Sequence, residues 1–256
     1  MAAAALVAVS CDKNNDNKEN DENEGDGPVA RKVLLALPSA IDEDNNLVSG
    51  RSFRYNEDGS LAGVDEVWTD DETGELMYYN LNVSRTGNKL TLTTDEGDVE
   101  YEWEVNEQGY VVKNGDYSYE YDNEGHLTKV IEDWGEGPQV VSICTWENGN
   151  MTSWTKEKEN EDGSARIKRQ TYKDTPNIGG IFTVFTEKSS LKKWMFEAGF
   201  FGKSTKNLVA TDKWDDNTDG ASFEYRYDAD GYVITETKYW AGEAEGNTYY
   251  FWKSLE

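Results

Sequence analysis

The chain has 256 residues, a formal net charge of −26 and nine Trp, 15 Tyr and eight Phe, so it can form one large domain with an aromatic core. The negative charge excludes nucleic acid as a partner, because affinity for the phosphate backbone comes mainly from Lys and Arg. Two cysteines and one histidine exclude a disulfide framework and a structural zinc site, and they exclude any catalytic scheme that needs a second histidine.

The N-terminal segment predicts an anchor. Residues 1–10 form an apolar run that is too short to span a bilayer and is followed by Cys11, which resembles the end of a bacterial lipoprotein signal peptide. Residues 11–28 are almost wholly polar and acidic, so we expect a disordered tether. Lipidation at Cys11 would make this an outer membrane lipoprotein on the periplasmic or cell-surface face. The alternative is an apolar N-terminus with an incidental cysteine.

From residue 29 to the end, the apolar pattern has a period of two. Val99, Tyr101, Trp103 and Val105, for example, alternate with acidic residues, which is typical of a strand with one buried and one solvated face. The strands end in a recurring turn with Asn or Asp at its start and Gly near its end, at residues 55–61, 105–111, 121–127 and 227–233, with a shorter version at 146–151. Each copy predicts a β-hairpin.

These hairpins predict an all-β fold, a single antiparallel meander over residues 29–256. We expect about 14–16 strands that form a barrel or a strongly curved sheet, because so long a sheet must curl or close. The exception is an insert at 176–213, with one short helix near 188–198 that stops at Gly199. Residues 163–213 carry ten Lys or Arg and four Asp or Glu, a net charge of +6. We expect the insert to lie across a barrel end or a sheet edge.

The hairpins resemble YD-type repeats. Together with the stretch GFFGKSTKNL at residues 199–208, they make the chain similar to a Bacteroidetes lipoprotein family, domain of unknown function 4595, which is described as porin-like. The resemblance implies a fold over about residues 29–256 and brings no activity, cofactor or catalytic residue. A mean hydropathy of −0.83 and 30% charged residues favour a barrel that is apolar inside and acidic outside over a lipid-facing channel.

Two local patterns suggest ligands. Asp215, Asn217 and Asp219 have the spacing of a calcium loop, but Arg226 stands where that loop needs a bidentate glutamate, so a solvated hairpin loop is the better interpretation. The Gly202-Lys203-Ser204 stretch has neither the preceding glycine nor the strand of a phosphate loop. We therefore predict no metal and no cofactor.

The remaining hypotheses concern binding. We favour a non-catalytic module that binds a glycan or a protein, since sugars stack on exposed aromatic rings. Cross-strand aromatic pairs that only stabilise the sheet are the structural alternative. The candidate binding residues lie in or beside the basic insert: Lys192, Lys193, Trp194, Lys203, Lys206 and Trp214.

Other functions stay open. The insert could dock an acidic partner in an envelope complex, or a carboxylate pair could support a glycoside hydrolase. We also expect His126 to be exposed after its turn glycine and Cys144 to be a buried, unreactive side chain.

Overall fold

The computed structural model describes residues 32–41, 47–157, 163–184 and 192–254, which form 17 strands and one short helix. Cys11, the tether and residues 188–191 of the predicted helix lie outside these residues. The helix is α1, Lys193–Glu197, and the strands are β1 Lys32–Ile41, β2 Leu47–Tyr55, β3 Leu61–Thr69, β4 Leu76–Thr86, β5 Lys89–Thr93, β6 Val99–Val105, β7 Val111–Asn114, β8 Tyr117–Tyr121, β9 Leu127–Glu132, β10 Gln139–Glu147, β11 Asn150–Lys156, β12 Arg166–Pro176, β13 Asn207–Trp214, β14 Ala221–Tyr227, β15 Val233–Trp240, β16 Glu243–Tyr249 and β17 Phe251–Ser254.

The strands form an antiparallel, nearly closed barrel. From β1 to β16, each strand pairs with its neighbours in sequence. Strands β16 and β17 are separated only by Tyr250, whose N–H bonds to the Ile234 carbonyl, and β17 pairs with β1. If β16 and β17 are counted as one interrupted strand, the barrel has 16 strands. Because this number is even, the first and last strands run in opposite directions and can pair antiparallel. The predicted all-β meander is confirmed.

The recurring turns all lie at one end of the barrel, because they are every second turn of the meander. Their glycines have positive φ, as at Gly109 (90°) and Gly125 (92°). The aspartate that opens a turn accepts backbone N–H bonds: Asp122 Oδ1 is 2.9 Å from both Glu124 N and His126 N. Lys32 and Ser254 pair at this end, and the insert begins and ends there. We call it the plug end and the opposite one the open end.

The insert lies inside the barrel and forms a plug. Phe200 and Phe201 contact the inward ring of Trp103 with centroids 5.2 and 6.0 Å apart, and Phe201 also packs against Tyr119 at 5.0 Å. Val111 N donates to the Phe200 carbonyl at 2.8 Å. The predicted position across a barrel end is correct in part: the N–H groups of Lys203 and Lys206 bond to the Gly125 and Gly149 carbonyls at the plug end, at 2.9 and 2.8 Å, while the aromatic side chains enter the lumen. A barrel of this many strands has a lumen that its wall side chains cannot fill, and the apolar face of the insert fills it.

The bounds of the insert also differ from the prediction. Residues 207–213 belong to β13, so the connection between β12 and β13 is residues 177–206. Its described helix begins at Lys193 and follows an extended Lys192. The positive charge of residues 163–213 is accordingly divided between the plug and two wall strands.

Candidate functional site

The open end carries most of the exposed aromatic surface of the described residues. Ten large apolar side chains are exposed, of which Ile178 and Tyr227 lie at the plug end. The other eight lie at or next to the open-end turns: Trp68, Leu76, Met77, Tyr78, Val99, Trp134, Val140 and Trp240. Exposed apolar residues are common singly, whereas neighbouring ones form a candidate interaction surface, as on the β3–β4 hairpin with Trp68, Leu76, Met77 and Tyr78.

Several of these side chains face the lumen. Trp68 lies four residues after the core residue Val64 on β3, so both lie on the inner face, and Met77 is the cross-strand partner of Trp68. Trp240 lies on the same face as Glu236 on β15, and Trp134 packs edge-on against Tyr117 with centroids 6.2 Å apart. The lumen above the plug therefore has an aromatic mouth.

One wall of this lumen combines two indoles with basic side chains. Trp154, Lys168 and Trp214 are consecutive partners across β11, β12 and β13, and the two indole centroids are 5.6 Å apart. Lys168 Nζ lies 5.2 and 5.0 Å from the two rings and 2.9 Å from Asp212. Arg166 stacks over Trp214 at 4.3 Å. These cation–π contacts hold Trp214 in place with part of its ring exposed.

A buried acid–lysine cluster joins the plug to the wall. Lys193 Nζ of α1 lies 3.8 Å from Glu197 and 3.7 Å from Glu236, and it donates to Tyr250 Oη at 2.9 Å. Burial raises the pKa of Glu197 to about 7, although Lys193 and the Phe182 N–H that bonds its carboxyl favour the charged form. The cluster holds α1 against the barrel wall at the inner end of the lumen, and we call this surface the floor of the lumen.

A cleft of about 400 Å³ lies between this floor and the wall. Its charged lining is three ammonium groups and three carboxylates: Lys168, Lys193, Lys238, Asp212, Glu236 and Glu245. Because a hydroxyl group both donates and accepts hydrogen bonds, this balanced set suits a neutral, polyhydroxylated ligand better than an ion of either sign.

A second cleft, of about 1010 Å³, lies at the plug end between the hairpin turns and the plug. Lys203 and Lys206 line it and are exposed, and the backbone N–H of Lys203 bonds to the Gly125 carbonyl at 2.9 Å. Of the predicted binding residues, these two therefore lie together, while Trp214 and Lys193 lie on the lumen side. Lys192 is exposed at the start of α1, and Trp194 is buried in the core with 4% exposure, so it offers no face to an external ring.

His126 is buried with 5% exposure, so the prediction of an exposed histidine is wrong. Its ring stacks on Trp146 at 4.3 Å and 17°, and its Nδ1 lies 3.0 Å from Asp122. A comparison of the repeats could have predicted this burial. The residue after the turn glycine is Tyr110 or Tyr232 in two other copies, and each of those rings also packs on another aromatic side chain. Cys144 is buried as expected, and burial raises the pKa of its thiol to about 12.

The calcium-like loop uses its oxygens for protein contacts. Asp215 forms a bidentate pair with Arg169, with distances of 2.9 to 3.1 Å, and Arg166 contacts Asp216 at 2.8 Å. No group of three or more potential metal-ligating side chains is found within the described ranges. In the same part of the chain, no helix is long and apolar enough to cross a membrane.

The fold matches a known family over most of the barrel. Residues 53–235, from β2 into β15, match the domain of unknown function DUF4595 with porin-like fold. The chain belongs to the DUF4595 family. No activity is attached to that family, and no curated protein matches the chain.

Two solved structures resemble this DUF4595 barrel. A porin-like protein of Bacteroides uniformis is 16% identical with a TM-score of 0.64, over 88% of this chain and 96% of that one. A porin-like protein of Bacteroides vulgatus is 9% identical with a TM-score of 0.53, over 87% and 99% of the two chains. At such low identity, the likeness concerns the fold alone.

Proposed function

We propose that this DUF4595 protein is a non-catalytic binding module of the cell envelope that takes a neutral glycan at the open end of its barrel. The observation that carries the proposal is the set of exposed indoles at the open end, Trp68, Trp134 and Trp240, together with a cleft of balanced charge on the wall that also holds the half-buried Trp214. Indole faces stack on the apolar faces of sugar rings, while the alternating donors and acceptors bond the hydroxyls.

The anchor and the open end complement each other in this proposal. Lys32 begins β1 at the plug end, so a tether from a lipid-bearing Cys11 reaches the barrel there. The aromatic mouth then points away from the outer membrane surface, towards the medium or the periplasm. The proposal holds for a protein on either face of the outer membrane.

A structural subunit of an envelope complex is the second candidate. It is favoured by the plug-end cleft, where exposed Lys203 and Lys206 could contact an acidic partner. A hydrolase is less favoured, because Lys193 holds both Glu197 and Glu236 in one salt-bridged cluster, as expected for structural carboxylates.

If the glycan proposal is correct, the intact protein binds neutral glycans on an array. Trp134→Ala and Trp240→Ala should each weaken this binding about tenfold, because each removes a ring that stacks on the sugar. Tyr227→Ala is the matched control, since Tyr227 is an exposed aromatic at the plug end. Titration calorimetry with the strongest array ligand measures the effect. Equal losses with all three variants, or no array signal, would contradict the proposal; co-purification of an envelope protein with a silent array supports the second candidate.

The anchor has its own test. In a Bacteroides host, Cys11→Ala is expected to move the protein from the membrane fraction to the soluble fraction, because a lipid chain is what holds the polar barrel there. Cys144→Ala, at the buried second cysteine, should stay with the membranes. Fractionation and immunoblotting decide; a wild-type protein that is already soluble refutes the anchor.

A further inference from the structure

Among the described strands, β16 has one edge without a strand partner, next to the cleft. Strand β1 lies between β17 and β2 but pairs with each over only part of its length. Residues 32–36 pair with β17, and residues 36–41 pair with β2 on the other side. Strand β16 pairs with β15 on one side. On its other side β1 lies near part of it, but neither β1 nor any other described strand pairs with it. A free edge presents a row of backbone N–H and C=O groups that can pair with another chain.

The turn geometry shows which groups of β16 point outward. Ala241 and Gly242 have φ values of 50° and 88° and form a two-residue hairpin loop. The flanking pair, Trp240 and Glu243, exchanges both hydrogen bonds in such a hairpin, so the next pair, Tyr239 and Ala244, does not. The N–H and C=O of Ala244 therefore point away from β15, towards the free edge.

The edge is accessible and has no proline, although a register shift beside Glu245 interrupts its pairing with β15. Residues 243–247 are all exposed, and a Cβ added to Gly246 would have no atom within 4 Å. The facing part of β1 carries Pro38, which removes a donor, whereas β16 has no proline. Residues 245–248 also line the cleft, so a strand at this edge would lie at the cleft entrance.

The acidic side chains of β16 determine which kind of strand can pair with its edge. The edge carries Glu243 and Glu245 and no basic residue. Lys238 pairs with Glu245 at 2.7 Å, and no described cation forms an ion pair with Glu243. Two copies meeting edge to edge would bring four glutamates together, which disfavours a homodimer. Opposite charges on neighbouring strands are favourable, so a basic strand fits best.

We propose that β16 binds an extended polypeptide segment with Lys or Arg at alternate positions, which adds to the barrel as a strand through backbone hydrogen bonds to Ala244 and its neighbours. The main chain supplies the affinity, and the alternate basic side chains supply the specificity against Glu243 and Glu245. This site adjoins the aromatic mouth, because residues 245–248 line the cleft, but strand pairing at β16 requires no bound glycan.

Hydrogen exchange of the intact protein tests the site with a blocked seven-residue peptide in which lysine alternates with threonine and valine. We expect the peptide to slow exchange across residues 243–249 by at least about tenfold, and Ala244→Pro to weaken its binding about tenfold, because proline removes an outward donor. Ala244→Val keeps the N–H and is the matched control. Replacing lysine with glutamate in the peptide should abolish the effect.

A second peptide keeps the test decisive if Ala244→Pro does not fold. The same sequence, N-methylated at alternate residues, cannot bond along the edge and should not slow exchange in the wild-type protein. Unchanged exchange with the first peptide overturns the proposal, as does binding that is insensitive to both proline and N-methylation. Slow exchange of β16 in the free monomer would mean that another part of the same chain covers the edge. A dimer with a protected β16 would mean that a second copy covers it. Either result overturns the proposal.

Discussion

Phe201→Ala is expected to lower the free energy of unfolding by about 3–5 kcal/mol, the usual cost of removing a buried aromatic side chain. Phe201 is 1% exposed and packs against Trp103, Tyr119 and Phe196, so it joins the plug to the inner wall. Chemical denaturation monitored by tryptophan fluorescence measures the change.

The control for this prediction is Trp134→Ala, which removes a larger side chain that is 67% exposed. It should change the stability by no more than about 0.5 kcal/mol, because it leaves no cavity. A double-mutant cycle with Trp103→Ala adds a second measure: two rings in contact should show a coupling of about 0.5–1.5 kcal/mol. Additive losses would show that the plug does not pack on the wall as described.

Glu197→Gln is expected to remove a pH dependence of stability. The pKa of the Glu197 carboxyl is raised from 4.5 to about 7, so the native state binds its proton more tightly than the unfolded chain does. The stabilisation is complete below about pH 4.5 and is lost as the pH rises to about 7. The shift corresponds to about 3 kcal/mol. Denaturation of both proteins from pH 4.5 to 8 measures the difference in slope.

The difference between the two proteins is the quantity to compare, because repulsion within an acidic chain contributes to both slopes. Glutamine can still accept the Phe182 N–H bond, so the packing of the plug is kept. Glu107→Gln removes the same charge at an exposed turn position and controls for the change in net charge. Identical slopes for wild type and Glu197→Gln would contradict a buried, proton-binding Glu197.

The open-end site was only partly predictable from the sequence. The sequence predicts Trp214 as a binding residue because it lies beside the basic insert, and in the structure it lies half-buried at the open end of β13. Trp194 lies in the same insert but is buried, because its ring packs against Tyr101 and Phe200 in the core. Glu197 and Glu236 were missed because nothing in the sequence separates two buried acids from the other acidic residues.

The sequence by itself determined the local structure: alternating apolar residues specify strands, and Asn or Asp with Gly specifies the turns, because both depend on residues close together in the chain. It therefore established the antiparallel meander and, through the turn phase, which turns share an end. Only the tertiary structure decided that the insert fills the lumen, that exposed aromatic rings gather at the open end, and that no described strand pairs with the outer edge of β16. These features depend on contacts between strands far apart in sequence, where barrel closure and lumen volume set the partners.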